Sequence, residues 1–392
     1  MTVLDSSIAS NLREDGLFNA YNILTYSAES LQVEELYPML EGQVAALSAG
    51  VLTPAQAVNL LDNLFASEMY REDQHSFMLY PDRDLSAFMN KNSLTDAQIN
   101  AVPVLSSMLK KGDQRLVNAD EQGQFHFHAS LENSGYLKAQ IQQLRGEYAD
   151  VAEEEWEAIE ALYEDVFNHK AFTGRSGTMF GYEGLGCIYW HMVSKLLLAV
   201  QENYLAAREL DADSEETQKL AEYYYRVRAG IGFNKTPENY GAFPTDPYSH
   251  TPKHAGAQQP GMTGQVKEEV ITRFVELGIL VEEGEIRIDP RLLHRHEFLT
   301  ESASFSCQSV AGQTQSYVVE KDQLAFTLCQ VPFVYQLVES EIQAGMVLTK
   351  SNGKQLVVEG LALSSALSQQ IFTRSGEVEK VVVSIPTSLL RA

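Results

Sequence analysis

Two loops concentrate the side chains able to do chemistry. One runs from Phe172 to His191 (FTGRSGTMFGYEGLGCIYWH) and the other from Asp246 to Gly264 (DPYSHTPKHAGAQQPGMTG). Both are dense in Gly, aromatic, His and hydroxyl residues, and each leads into an amphipathic helix, the profile of loops that hold a ligand on a scaffold. In the second, Met262-Thr263-Gly264-Gln265 opens a helix. The unpaired amides and partial positive charge of a helix start suit an anion such as phosphate at Thr263 and Gly264. A plain N-cap role for Thr263 is the competing reading. In the first loop, His191 sits one turn inside an apolar helix, where a lone His is more often a hydrogen-bonded core residue than a ligand. Its loop also brings Arg175 and Glu183. A His beside an Arg can hold a phosphate while a Glu binds sugar hydroxyls.

Other chemistry-bearing residues are less specific. His126 and His128 in Phe125-His126-Phe127-His128 point the same way on a strand, but nothing nearby completes a metal set. Cys187, Cys307 and Cys329 are odd in number, widely spaced and set among apolar residues, and read as buried free thiols. Arg13-Glu14-Asp15-Gly16 and Tyr80-Pro81-Asp82-Arg83 read as loop or capping segments with surface ion pairs. The chain contains no phosphate-binding Gly-rich motif with its Lys, no nucleophile elbow and no zinc-protease helix.

The elements that must position these residues are helices up to about Leu293. Apolar residues recur at helical spacing from Leu31 through Val33, Leu36, Met39, Leu40 and Val44 to Leu47, and Gly50 suits the C-terminal cap. Thr53 before Pro54 is an N-cap followed by a first-turn proline. Further helices are expected at about 95 to 110, 130 to 145, 152 to 167, 186 to 207, 214 to 229 and 263 to 277. The last presents Val266, Val270, Ile271, Phe274 and Leu277 as its apolar face. The long loops between helices are of the kind that carries function. After Gly278 the period changes to two, at 285 to 288, 316 to 320, 324 to 331, 346 to 348, 355 to 358 and 378 to 385. The expected architecture is a helical domain over 1–293 and a small antiparallel β-sandwich over 294–392.

The net charge of -24 makes nucleic acid and anionic membrane surfaces improbable partners, and an anionic ligand would need a local positive pocket. No apolar run is long enough for a membrane span and the first residues lack signal-peptide regions, so a cytoplasmic protein is expected.

The motifs together resemble the inverting glycoside phosphorylases of the cellobiose phosphorylase type and their long relatives acting on β-glucans. The family's Gly-Gly-Ile-Phe-Cys-His looks like Gly186-Cys187-Ile188-Tyr189-Trp190-His191, and its Glu-Pro-Tyr like Asp246-Pro247-Tyr248. Its Leu-Thr-Gly, helix and Leu-Gly-Ile turn resemble Met262-Thr263-Gly264 followed by Leu277-Gly278-Ile279, and its hairpin into Ile-Asp-Pro resembles Ile286-Arg287-Ile288-Asp289-Pro290.

The resemblance implies phosphate contacts at His191, Thr263 and Gly264; Arg175 is expected to assist them, and Glu183, Tyr189, Asp246, Tyr248 and Gln258 are expected to contact substrate. It also implies an (α/α)6 toroid of the six-hairpin glycosidase kind, here partial, with inorganic phosphate as co-substrate, a β-glucan oligosaccharide as substrate and no metal or organic cofactor. The family's general acid is an Asp in an Asp-Trp-Asn-Asp-like segment. Trp156 and Trp190 are the two Trp residues here, and neither has that setting. The chain is therefore expected to be the C-terminal part of a longer enzyme, inactive alone, that pairs with an upstream barrel half or self-associates. The rival readings are an inverting glycoside hydrolase on the same toroid, with Glu183 or Asp246 as acid and base, and a non-catalytic carbohydrate-binding subunit.

Overall fold

The computed structural model describes residues 2–26, 30–82, 90–168, 188, 190–231 and 263–391. The chain begins with helix α1 (Thr2–Ala9), the hairpin β1 (Asn22–Tyr26) and β2 (Leu31–Glu35), helices α2 (Leu40–Ser48) and α3 (Pro54–Ala66), and a short hairpin β3 (Tyr70–Arg71) and β4 (Ser76–Phe77). Next come α4 (Asp96–Ala101), α5 (Pro103–Lys110), the hairpin β5 (Val117–Ala119) and β6 (Phe125–Phe127), α6 (Ser134–Leu144) and α7 (Glu153–Phe167). Among the described residues, α8 (Trp190–Leu210), α9 (Glu215–Ala229) and α10 (Thr263–Glu276) follow. The rest is strand-rich: β7 (Ile279–Glu282), β8 (Glu285–Ile288), β9 (Ala303–Gln308), β10 (Thr314–Val319), β11 (Gln323–Leu328), β12 (Val331–Val338), β13 (Gly345–Lys350), β14 (Gln355–Glu359), helix α11 (Ser365–Phe372) and β15 (Val378–Pro386). Among the described residues no helix is long and apolar enough to cross a membrane.

The residues divide into two compact units. The first is 1–80 with 187–392, and the second is 81–186. The domain boundary expected at 293/294 thus falls inside the first unit, while a stretch read from sequence as part of one helical array forms a unit of its own.

In the first unit, α8 is the central helix, packed against α2, α3, α9 and α10. Its buried stripe includes Trp190, Val193, Leu196, Leu197, Val200 and Tyr204. The expected cap of α3 is present: Thr53 Oγ1 accepts from the Gln56 amide at 3.3 Å and Gln56 Oε1 accepts from the Thr53 amide at 2.9 Å, a reciprocal pair that satisfies two helix-start donors. Gly50 follows α2 at φ 67°, as expected of a left-handed terminator.

The helix expected from Leu31 onward is a correction. Residues 31–35 instead pair as β2 with β1, and α2 begins only at Leu40, after Pro38. The helix expected over 95–110 is broken at Val102, whose φ of -117° and ψ of 93° are those of a residue forced extended before Pro103.

The strand region is a second core of the same unit, and it is not all antiparallel. Its five-stranded sheet has the order β11-β12-β15-β13-β14, and β12 runs parallel to β15, pairing Phe333 with Val381 and Tyr335 with Val383. A single strand was expected over 324–331. The chain turns there at Cys329 and Gln330, whose φ values of 49° and 66° make the two-residue hairpin into β12. Cys307 and Cys329 are free thiols but half-buried rather than buried, and Cys187 lies outside the described residues.

The two cores are tied at the end of α10. Gly278, at φ 84°, passes so close to Asp289 that a Cβ would lie 2.6 Å from its carbonyl carbon. The Tyr335 hydroxyl donates to the Leu277 carbonyl at 2.8 Å. Glu276, wholly buried, accepts from Tyr224 of α9 at 2.6 Å, pairs with Arg228 at 2.7 Å and pairs with Arg273, which in turn holds Glu297 at 2.5 Å.

The second unit has its own core around Leu105, Phe127, Leu137, Ile141, Trp156, Ile159 and Tyr163. His126 and His128 do not share a ligand position there. His126 Nδ1 lies 2.6 Å from the Asn92 carbonyl and Nε2 3.2 Å from Asp120, while His128 Nδ1 lies 2.7 Å from Ser130 Oγ. The carbonyl of Asn92 and the carboxylate of Asp120 raise the His126 imidazole above its usual range by accepting from its charged form.

Two expectations follow. Glu276→Ala removes the buried carboxylate that Tyr224, Arg228 and Arg273 share and should cost about 3–5 kcal/mol in denaturant unfolding, whereas a loss below about 1 kcal/mol would assign the network no stabilising part. For His126 the folded pKa exceeds the unfolded one, so its contribution is complete below about pH 6.5 and is lost as pH rises through the folded value. The second unit, read from Trp156 fluorescence in a Trp190→Phe background, should therefore melt lower at pH 8 than at pH 6, and His126→Gln should flatten that dependence.

Candidate functional site

The site begins with the direction of two helices. Gln201 of α8 donates to the carbonyl of Thr272 of α10 at 2.8 Å, and Leu197 shares a cavity with Glu269, Val270 and Thr272. Further along, Arg208 pairs at 3.0 Å with Asp289, beyond the end of α10. The helices therefore run the same way, and their N-terminal turns, with His191 on one and Thr263 and Gly264 on the other, lie toward one end of the layer.

His191 occupies the first turn of α8, half-buried behind the buried Trp190, and its carbonyl accepts from Ser194 Oγ at 2.9 Å. Burial lowers the pKa of its imidazole. Lys195 on the same helix and Lys267 on α10 act in that direction, while Glu268 on α10 and Glu41 on α2 oppose them. A helix opens at Thr263 as expected. The side chain of Thr263, and Arg175, Glu183, Tyr189, Asp246, Tyr248 and Gln258, lie outside the described residues. Of the expected phosphate contacts, the structure thus describes His191 and the backbone start of α10.

The face that α10 buries differs from the expected one. Val270 is 50% and Ile271 42% exposed, whereas Glu268, Thr272 and Glu276, spaced four apart, are 4%, 2% and 0% exposed. Polar side chains go inward because the neighbouring helices answer them: Tyr224 and Arg228 satisfy Glu276 at one end of the stripe. At the other end, Glu268 meets only Lys267, Oε1 to Nζ at 3.8 Å, and its buried Oε2 has no hydrogen-bond partner among the described residues. Sequence reasoning missed Glu268. The spacing of Glu268, Thr272 and Glu276 is the signal that could have found it.

Residues 85–170 match the family model of the GH149 phosphorylase insertion domain 2. No curated protein matches the chain. The match supports a glycoside-phosphorylase-related, carbohydrate-active protein. It falls on the second unit, not on the helices that carry His191. The geometry suits an insertion: the chain leaves the first unit after Tyr80 and returns at Cys187, and just inside those points Met78 and Ile188 form a β-bridge.

A buried carboxylate oxygen left without a donor costs about 1–3 kcal/mol, a penalty that a residue kept for function carries. Glu268→Met should therefore leave stability unchanged or raise it by about 1 kcal/mol in denaturant unfolding. A loss greater than about 2 kcal/mol would show instead that the carboxylate holds the helices together.

Proposed function

We propose that the chain is the phosphate-binding portion of an inverting β-glucan phosphorylase that releases α-glucose 1-phosphate. The observation that carries this reading is the match of residues 85–170 to a phosphorylase insertion domain. The convergence of the α8 and α10 N-terminal turns agrees with it, because a helix start offers free amides and a partial positive charge to an anion. In this reading His191, Thr263, Gly264 and Arg175 hold phosphate, and Glu183, Tyr189, Asp246, Tyr248 and Gln258 contact the glucan.

A phosphate oxygen attacks the anomeric carbon as the bond from that carbon to the glycosidic oxygen breaks. A carboxylic acid on the opposite face gives its proton to the departing oxygen. Attack from the far side inverts the anomeric centre. The helices of the first unit are part of an (α/α)6 toroid, and the general acid is supplied by an upstream barrel half. The reaction takes place in the cytoplasm without metal or organic cofactor.

Phosphate that binds only the folded chain stabilises it by RT ln(1 + [L]/Kd), about 2.7 kcal/mol at a hundred times Kd. A phosphate-dependent rise in Tm should be seen in the wild type and be lost in Thr263→Pro, which removes the hydroxyl and the amide. In a system completed by an upstream half, release of glucose 1-phosphate should depend on phosphate, and His191→Ala should weaken apparent phosphate affinity about tenfold. Equal stabilisation of wild type and Thr263→Pro would reassign the effect to salt exclusion. Sugar release without phosphate would turn the reading to hydrolysis.

A further inference from the structure

Far along α8 from His191, the first unit has a second, half-open cavity of about 550 Å³, a size typical of small-molecule sites. Its lining includes Tyr204 of α8, Gln218 of α9, Arg291, His294, Ser388 and Arg391. At 1.5 Å per residue, Tyr204 is about 20 Å from His191 along the helix, so this is not the proposed phosphorolysis site.

The charge of the cavity is out of character for the chain. The molecule as a whole carries a net charge of -24, and such a surface repels anions unless a site provides its own positive field. Here Arg208, Arg391 and Arg291 all bear on the buried Tyr204 hydroxyl, with Asp289 acting against them. Arg208 is taken up by Asp289 at 3.0 Å. The other two are loosely engaged: Arg291, largely exposed, reaches Asp289 only at 3.5 Å, and Arg391 reaches Gln218 Oε1 at 3.4 Å. Their planar donor forks suit phosphate oxygens.

The rest of the lining suits something larger than inorganic phosphate. Asp213, Gln218 and Ser388 offer hydrogen-bonding groups, Gln218 through the capacity left beside its bonds to Arg391 and the Ala212 carbonyl and Ser388 as an acceptor while it donates to Glu341, and Leu390 and the Tyr204 ring give an apolar wall. Carboxylate, amide and hydroxyl groups around an apolar surface are what sugar hydroxyls and a pyranose face require. His294 closes the wall, its ring 4.3 Å from Tyr225 and 5.0 Å from His296.

We propose that this cavity binds a phosphorylated monosaccharide, with the phosphoryl group between Arg291 and Arg391 and the sugar hydroxyls on Asp213, Gln218 and Ser388. The site needs neither His191 nor a general acid, so it stands whether or not the chain takes part in phosphorolysis.

The test is isothermal titration calorimetry of the full 392-residue chain with glucose 6-phosphate, inorganic phosphate and glucose as separate titrants. Glucose 6-phosphate should bind saturably at one equivalent, at least about tenfold more tightly than either other titrant. Arg291→Gln and Arg391→Gln should each weaken it about tenfold, and His191→Ala should leave it unchanged. Arg291 is exposed, so Arg291→Gln decides the matter even if Arg391→Gln fails to fold. Absence of saturable binding, equal affinity for inorganic phosphate and glucose 6-phosphate, or loss in His191→Ala with Arg291→Gln unaffected would each overturn the proposal.

Discussion

The buried carboxylate of Glu276 is the constraint on which the first unit depends. Taking a charge out of water costs several kcal/mol unless partners surround it, and Glu276 has Tyr224, Arg228 and Arg273 around it. Burial pushes its carboxyl above the usual range, with Arg228 and Arg273 pulling the other way. For Glu297, burial also acts upward, but the hydrogen bonds and charge of Arg273, with Arg228, outweigh it and hold the carboxyl below its usual range. Only one rotation of α10 about its axis lets Glu276 meet α9, and that rotation also turns Glu268 inward and Val270 and Ile271 outward. The same anchor sets where α10 ends, and so where Gly278 and the strand region begin.

This anchor also governs the candidate site. With Glu276 held at the C-terminal end of α10 and Thr272 bonded to Gln201, the start of α10 is directed toward the same end of the layer as the start of α8. Two helix starts with a His, two Lys and a buried carboxylate between them form an arrangement in which small shifts in charge matter, because burial lowers the effective dielectric.

The second unit relates to the first through its points of departure and return. Among the described residues, its core of Phe127, Trp156 and Tyr163 is contributed from within 81–186. A segment with a closed core and neighbouring ends can be added to a scaffold without disturbing that scaffold's packing. That independence explains how a family likeness can be concentrated on this unit while the residues expected to contact phosphate lie elsewhere in the chain.

Local signals determined much of this protein. The cap at Thr53, the terminator at Gly50, and the limits of α7, α9 and α10 were legible because capping chemistry and apolar period act within a few residues. Most strands after Gly278 were legible from their period of two, and the start of α10 from the Thr263-Gly264 pair ahead of an apolar period. Tertiary structure decided the rest. Residues 31–35 carry a helical spacing yet pair as a strand, because β1 offers them backbone partners. The turn at Cys329 and Gln330 uses two residues that are not turn formers, held by the pairing of β11 with β12, and the parallel run of β12 beside β15 joins strands distant in sequence. The inward face of α10 was hidden for the same reason: polarity at Glu268, Thr272 and Glu276 reads as solvent exposure until Gln201, Tyr224 and Arg228 are brought alongside. A buried polar residue is defined by its partners, and those partners lie on helices that only the folded chain brings together.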